Sequence, residues 1–588
     1  MNPVLALRRL KISFSWLSVL SGALIVVSFP PWNLSFLIWI ALVPWLILLQ
    51  RAKTPLQAAF SGLWTGAVMT VGGFSWMAYA MHQFGQLPWV LCILALLVFS
   101  LVCEPQFIVF SLAYHYLRRV PRKRAWSPLV AWLAAGVLYT GIDWILPKLW
   151  LDTLGHSQFN RGWIRQVADL GGASVLTGLI FLVNHALAQI YLAIRHREQP
   201  SLWPALRAHL PALAGSVLLC VLATLYGRAR ATELHALWEA STEQTQLAAV
   251  QANIGDFEKV AAETGVAAAA DRIISQYIEL SEKALASTPK PEAIIWPETS
   301  YPSTFRTPLT SNELRYDQRL ETFSRENRVP LLFGGYDTKD RQDYNSFFFL
   351  TPEPDPALLA SAQGGIPLER PASEADLQIY HKHILLPFGE YIPLAQYFFD
   401  AKKLFPQMGF FGQGPGPTVY RVRLTSTPPK TGANKGKKTA PIPDRYLQFS
   451  PIICYEALFP EFSREAARKG SRLILNITND SWFGPFGEPH LHLALSAFRS
   501  IETHLPQLRA TNTGITTLIR PDGEITQATE VFSKAYVNVT VKSFPPPSTL
   551  FLKWGDWFGR FCLLLAILGV IFLVWPSPSA SRGRAKAR

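Results

Sequence analysis

Five cysteines occur in the chain, and four of them, Cys92, Cys103, Cys220 and Cys562, sit inside long apolar runs, where a thiol behaves as a small hydrophobe. Cys454 alone lies in a stretch of ordinary polarity, at the end of the apolar run Ile452-Ile453 and before Tyr455 and Glu456. Two other apolar runs also end in reactive groups. Ile294-Ile295-Trp296 is stopped by Pro297 and followed by Glu298, and Tyr380-His381-Lys382 leads into Leu386-Pro387-Phe388-Gly389-Glu390-Tyr391. A thiol, a carboxylate and an ammonium at strand ends supply a nucleophile, a candidate base and a fixed cation. A free thiol has a pKa of about 8.5 and attacks as thiolate, so a carboxylate within hydrogen-bond reach can take its proton. An ammonium beside the reacting carbonyl stabilises the oxyanion, a contribution of roughly 3 kcal/mol. On residue type alone each group also has a plain reading: an inert buried thiol and two solvated charges. With one thiol in this part of the chain, neither an internal disulfide nor a thiolate zinc cluster can form there.

The elements that must hold these groups alternate. Short β-rich runs at 246–250, 293–296, 331–333, 347–350, 447–454, 473–477 and 514–519 are separated by helical patterns such as 267–286 and 491–503. Strand–helix alternation predicts an α/β domain of sheets covered by helices, here spanning residues 229–545. A lysine-rich excursion at 425–444, with Lys430, Lys435, Lys437 and Lys438 among Pro, Gly and Thr, interrupts it.

The rest of the 588 residues is of another kind. Hydrophobic residues make up 49% of the chain and charged ones only 16%, against a usual charged share of about 25%. The shortfall lies before residue 228 and near the C-terminus. A membrane span needs about 20 mostly apolar residues. Eight such stretches are predicted, at roughly 12–29, 34–50, 56–81, 88–116, 126–146, 173–194, 208–227 and 556–575. The predicted organisation is a seven-span domain over 1–228, the extramembrane domain, an eighth span within 546–577 and a basic tail over 578–588. The net charge of +14 comes from short basic runs between apolar segments, which argues for membrane sidedness and against nucleic-acid binding. Arg8, Arg9, Lys11, Arg51, Lys53, the run at 118–124, Arg195, Arg197 and the tail at 581–588 all fall on one side if each segment crosses once. That side is then cytoplasmic, and the large domain is extracytoplasmic.

The order WPE, K before PFGEY, then CYE resembles the nitrilase superfamily, whose members share a Glu–Lys–Cys triad on an αββα sandwich. The likeness continues through 476–484 (NITNDSWFG) and 509–515 (RATNTGI). Seven spans before such a domain and one after it are similar to the apolipoprotein N-acyltransferase family, as are Phe29-Pro30-Pro31-Trp32 and Ala168-Asp169-Leu170-Gly171-Gly172. The resemblance implies transfer of an acyl chain from a membrane phospholipid, through a thioester on Cys454, to the α-amine of diacylglyceryl-cysteine lipoproteins. It implies Glu298 as general base, Lys382 as oxyanion stabiliser and Cys454 as nucleophile. Glu390 and Glu456 would orient Lys382 and the thiol, Tyr455 would contact acyl chain or headgroup, and Asn345 would lie close by. It implies no cofactor and no metal, and a bacterial inner membrane with the catalytic domain on the periplasmic side. One departure stands at Asn253-Ile254-Gly255-Asp256-Phe257, where the family often has proline and then tryptophan.

Aromatics and glycines at 397–399, 404–406 and 408–412 suit a lid that dips into lipid. His490, His492 and His504 lack the usual metal-ligand spacing and read as capping or core polar residues. Residues 412–416 are no phosphate loop, since Pro415 removes an amide donor. Glu104 and Asp143 fall within apolar spans, where acids are costly. They would form a proton relay if the chain were instead a transporter. A membrane-anchored amidase is the alternative among enzymes, although one span would anchor it.

Overall fold

A computed structural model describes residues 15–119, 127–195, 202–354, 376–393, 410–424 and 445–574. The chain divides into two compact units, residues 1–229 with 553–588, and residues 230–552.

The first unit is helical. Among the described residues three helices are long and apolar enough to cross a membrane, Pro128–Ile145, Ala173–Arg195 and Leu206–Ala240. Trp89–Cys103 and Gln106–Leu117, which join at a 46° bend, make a fourth crossing if the pair is counted as one span. Trp16–Ser28, Ser35–Arg51 and Trp557–Phe572 are apolar but shorter. The stretch expected as one span over 56–81 is two helices, Pro55–Gly73 and Ser75–Gln83. Hydropathy alone does not register such breaks; Pro105, which has no N–H to continue the ladder, lies at the bend after Glu104. Small residues let helices touch closely. A Cβ on Gly62 would lie 2.3 Å from the Phe107 carbonyl oxygen, and one on Gly141 2.7 Å from Leu563 Cα. Asp143 is not a free acid, for Lys148 Nζ reaches its carboxylate at 2.7 Å with both side chains buried. Glu104 accepts from Gln106 Nε2 at 2.5 Å.

The second unit is a two-sheet sandwich. Its strands are β1 (Glu243–Gln251), β2 (Ala293–Ile295), β3 (Leu331–Lys339), β4 (Gln342–Leu350), β5 (Leu377–His381), β6 (Tyr420–Leu424), β7 (Arg445–Ile453), β8 (Ile474–Thr478), β9 (Gln507–Thr511), β10 (Thr517–Ile519), β11 (Ile525–Thr526) and β12 (Ala535–Ser543). One six-stranded sheet has the order β12-β1-β2-β3-β4-β5, the other β11-β10-β9-β8-β7-β6. β1, β2 and β3 are parallel neighbours, as are β7, β8 and β9. Their continuous Ile, Leu, Ala and Phe runs fit strands buried on both faces. Leu247, Ala249, Phe347, Phe449, Ile452, Ile474, Leu508 and Val539 fill the layer between the sheets. Helices α1 (Asp256–Glu263), α2 (Ala267–Leu285) and α3 (Ser311–Asn327) share a second core with the first sheet. Helices α4 (Pro460–Arg468) and α5 (Glu488–Thr503) come after β7 and β8, and α5 packs Leu493 and Ala497 against Ile515 and Ile519. This is an αββα arrangement. The sequence runs foreshadow β1 to β4, β7, β8 and β10. The pairing of β12 with β1, nearly 300 residues apart in register Glu243 with Ser543, is not foreshadowed.

Candidate active site

In parallel-stranded sheets reactive groups collect just beyond the carboxyl ends of strands. Here the ends of β2, β5, β7 and β8 carry Glu298, Lys382, Cys454 and Asn479. β5 shares the direction of β3 because both are antiparallel to β4.

Glu298 is buried, and every polar contact it makes is with a donor. Its Oε1 accepts from Asn345 Nδ2 at 2.8 Å and Lys382 Nζ at 3.2 Å, and its Oε2 from the Asn479 amide at 2.9 Å. Glu390 is held in the same way, by Asn345 Nδ2 at 2.7 Å, Lys382 Nζ at 2.8 Å and the Leu386 amide at 2.8 Å. Donors on all sides mean that both acids are carboxylates. One amide, on Asn345, thus bridges the two, while one ammonium neutralises half their charge. Burial by itself would lower the Lys382 pKa, but the Glu298 and Glu390 carboxylates hold it well above the ordinary lysine range. Lys382 therefore stays cationic throughout.

Cys454 has left-handed backbone, φ +48°, which costs an L-residue about 1–2 kcal/mol. The kink turns the chain at the end of β7 into the short helix Cys454–Leu458. Burial pushes the thiol well above its usual range, Glu298 adds to this and Lys382 opposes it. The resting group is consequently a neutral thiol, which becomes nucleophilic only if a base takes its proton.

Glu456 binds backbone on either side of the seam and makes no hydrogen bond to Lys382 or the thiol. Its Oε1 accepts from Tyr380 Oη at 2.7 Å and the His383 amide at 2.7 Å, and its Oε2 from the Ile453 amide at 2.8 Å. It therefore ties the strand end bearing Lys382, in one sheet, to that bearing Cys454, in the other. Burial raises it to about 6 in spite of these donors. Tyr455 is buried, with its ring edge-on to Phe459 at 5.1 Å.

One glycine of the site carries no chemical signal in the sequence. A Cβ on Gly334 of β3 would lie 2.6 Å from Glu298 Cα, from the Pro297 oxygen and from the Thr299 nitrogen. Gly334→Ala must therefore push Glu298 aside. We expect a destabilisation of about 1–3 kcal/mol and a loss of turnover of about 100-fold, read by thermal melting and by acylation kinetics.

His492 is more than a core polar residue. It is fully buried, with Nε2 3.3 Å from the Cys454 carbonyl oxygen and Nδ1 3.1 Å from Asp480 Oδ1 and 3.5 Å from Glu488 Oε1. A carbonyl can only accept, and Asp480 is a carboxylate held by Arg509 at 2.9 Å, so both ring nitrogens carry hydrogen. Burial and Arg509 lower the His492 pKa, but Asp480 and Glu488 more than reverse this. Asp480 in turn is drawn down to about 2 by Arg509 and His492, against burial. Cys454, Asp480 and His492 offer ligand atoms within 4.8 Å of one another, the one such trio among the described residues. Two cations already flank Asp480, so the set suits a charge network better than a metal ion.

Glu488 gives this network a pH signature. Burial and the nearby Asp480 charge raise it from 4.5 to about 7. The folded state thus holds the proton more tightly than the unfolded chain, and this contribution is complete below pH 4.5 and lost as pH rises to 7. Glu488→Gln, which imitates the protonated acid, is expected to flatten the fall in stability over that window. Melting curves at pH 5 and pH 7 check this; an unchanged slope counts against it.

The lid-like residues at 397–399, 404–406 and 408–409, and the excursion at 425–444, lie outside the described residues. Phe410 and Phe411, the last aromatics of the lid-like stretch, are docked on the sandwich. Phe411 stacks on Tyr336 at 5.7 Å and donates its amide to the Glu390 carbonyl, and Gln342 Nε2 donates to the Phe410 carbonyl at 2.7 Å. The departing segment at 253–257 binds the TNTG turn, with the Ile254 amide donating to Asn512 Oδ1 at 2.9 Å.

Two family models match the chain, an apolipoprotein N-acyltransferase N-terminal domain over residues 21–186 and a carbon-nitrogen hydrolase over 246–543. An apolipoprotein N-acyltransferase of Bdellovibrio bacteriovorus is 30% identical over 95% of this chain and 93% of its own length. The chain belongs to the apolipoprotein N-acyltransferase family. A family member from Geobacter metallireducens is 30% identical over 93% of this chain and 92% of its own. One from Borreliella burgdorferi is 25% identical over 95% and 94%. The sandwich is accordingly of the nitrilase-like carbon-nitrogen hydrolase fold, and the helical unit contains the family's N-terminal domain.

Proposed function

We propose that this chain acylates the N-terminal α-amine of diacylglyceryl-cysteine lipoproteins, with a membrane phospholipid as acyl donor and a thioester on Cys454 between the two half-reactions. The observation that carries the reading is the pairing of a neutral thiol with a carboxylate base and a permanent cation across one seam. Glu298 takes the thiol proton as Sγ attacks the ester carbonyl carbon. Lys382 stabilises the oxyanion, a task worth about 3 kcal/mol. The C–O bond then breaks, and the departing lysolipid oxygen takes the proton back from Glu298. In the second half-reaction the α-amine attacks the thioester and gives its proton to Glu298. The sulfur leaves and is reprotonated. Glu390 and Asn345 fix Lys382 and Glu298, and Glu456 fixes the strand ends.

Eight spans, with seven before the sandwich and one after it, remain our reading of the helical unit. The short and broken helices would be completed by tilt and by neighbouring helices. The parity of basic loops supports a periplasmic catalytic domain in the bacterial inner membrane. The test is acyl-group mass analysis of purified protein in phospholipid. A long-chain acyl mass on the peptide containing Cys454 is expected. A small acyl group would instead mark an amidase, and no adduct under any donor would sink the thioester.

A further inference from the structure

Lys259 is a buried cation near the site that the proposed chemistry does not use. It lies on α1 and is 5% exposed. Among the described residues its Nζ donates to one acceptor, the neutral hydroxyl of Thr299. Among the described residues no carboxylate oxygen comes within 4.0 Å of it. An ammonium has three hydrogens to donate, and a buried one without a counter-ion is costly to keep. Burial accordingly lowers its pKa, against the fields of Glu263, Glu298 and Asp256.

Its place is fixed from both sides of Glu298. Thr299 is the next residue along the chain, itself held at φ +48°. At the start of α1, the Ser481 hydroxyl lies within hydrogen-bond reach of the Asp256 carboxylate and, at 2.9 Å, of Asn479 Oδ1, and its one hydrogen serves one of the two at a time. The Asn479 amide is the group bound to Glu298. Lys259 is thus a cation with one of its three hydrogens placed, on the residue that follows Glu298, while Phe257 and Val260 of the same helix are 73% and 42% exposed. Cation and apolar surface together match an anionic group attached to acyl chains. Of the two substrates only the donor has one: a glycerophospholipid carries its phosphodiester a glycerol unit away from the ester carbonyl, whereas the diacylglyceryl acceptor has no phosphate.

We propose that Lys259 binds the phosphodiester of the acyl donor, with the Thr299 hydroxyl steering its ammonium. The assignment rests on the reading of Cys454 as the group that attacks a phospholipid ester. It makes Lys259 a specificity determinant of the first half-reaction that has no part in the second.

The test uses the full-length protein in detergent micelles and follows acylation of Cys454 by two donors of equal chain length, a phosphatidylglycerol and a neutral p-nitrophenyl ester. Lys259→Met is expected to lose about 10- to 100-fold in kcat/KM with the phospholipid, the size of a charge-assisted hydrogen bond. Acylation by the neutral ester should change little, and Lys259→Arg should restore most of the loss. An equal loss with both donors, or none with either, overturns the assignment. A measurement on the unaltered protein guards against misfolding of the variants. Dihexanoyl phosphatidylglycerol should slow alkylation of Cys454 by a neutral reagent at about tenfold lower concentration than dihexanoylglycerol. Equal protection by the two also overturns it, as does equal protection by inorganic phosphate alone at the same concentration. Failure of the thioester reading looks different, since Cys454 would then carry no acyl group from either donor.

Discussion

Lys382→Met is expected to abolish measurable acyl transfer and to destabilise the sandwich at the same time. The methionine fills a similar volume but leaves Glu298 and Glu390 facing each other, bridged only by Asn345 Nδ2 at 2.8 and 2.7 Å. Removing one partner of a buried ion pair costs roughly 3–5 kcal/mol. Part of that is recovered when one carboxylate takes up a proton. Turnover loses the proposed oxyanion donor, about 10²- to 10³-fold, and loses more if the proton settles on Glu298, the proposed base. A second change separates the two effects. Adding Glu390→Gln to Lys382→Met removes the surplus charge, so stability should return toward the unaltered protein while turnover stays lost. The two substitutions share a contact and should not be additive. A Lys382→Met protein that melts where the unaltered one does would refute the buried-pair account.

Cys454→Ala should have the largest effect on rate and a small one on the fold. Loss of the proposed nucleophile of a concerted catalytic set lowers turnover by about 10⁶-fold, whereas removal of one sulfur from the core shifts stability by about 1 kcal/mol or less. The backbone offers a finer check. Alanine at φ +48° still suffers the left-handed strain, and glycine does not. Cys454→Gly should therefore be at least as stable as Cys454→Ala, although glycine normally costs about 0.5–1 kcal/mol relative to alanine inside an ordered element. If the glycine variant melts well below the alanine one, the strained turn is not what presents the thiol.

Both predictions concern residues that local pattern makes visible. An apolar run that ends in proline and an acid, or in a lone thiol, projects a reactive group beyond a strand, and Glu298 and Cys454 can be found that way. Lys382 cannot be told from a surface cation until the PFGEY segment beside it is taken into account. What stays hidden depends on distance along the chain. His492 meets the Cys454 carbonyl across 38 residues, and Arg509 meets Asp480 across 29. The helix that bears His492 is buried nearly all round, so its polar positions carry no amphipathic signal. Gly334 is hidden for another reason: a glycine in an apolar strand announces that something approaches, but not what. In the helical unit, hydropathy locates the apolar stretches but not their breaks, because Phe74 and Glu104–Pro105 interrupt helices without interrupting composition.

The two carboxylates, one ammonium and one neutral thiol sum to a single negative charge. In the proposed first half-reaction the thiol proton moves to Glu298, and the total is the same. It is still the same when the negative charge passes from sulfur to the carbonyl oxygen, and again when the lysolipid leaves as a neutral alcohol. Every step of the first half-reaction thus redistributes one charge among fixed positions, and none imports or exports an ion. Moving charge within a buried site costs far less than creating it there. The proposed chemical step should accordingly be almost indifferent to ionic strength.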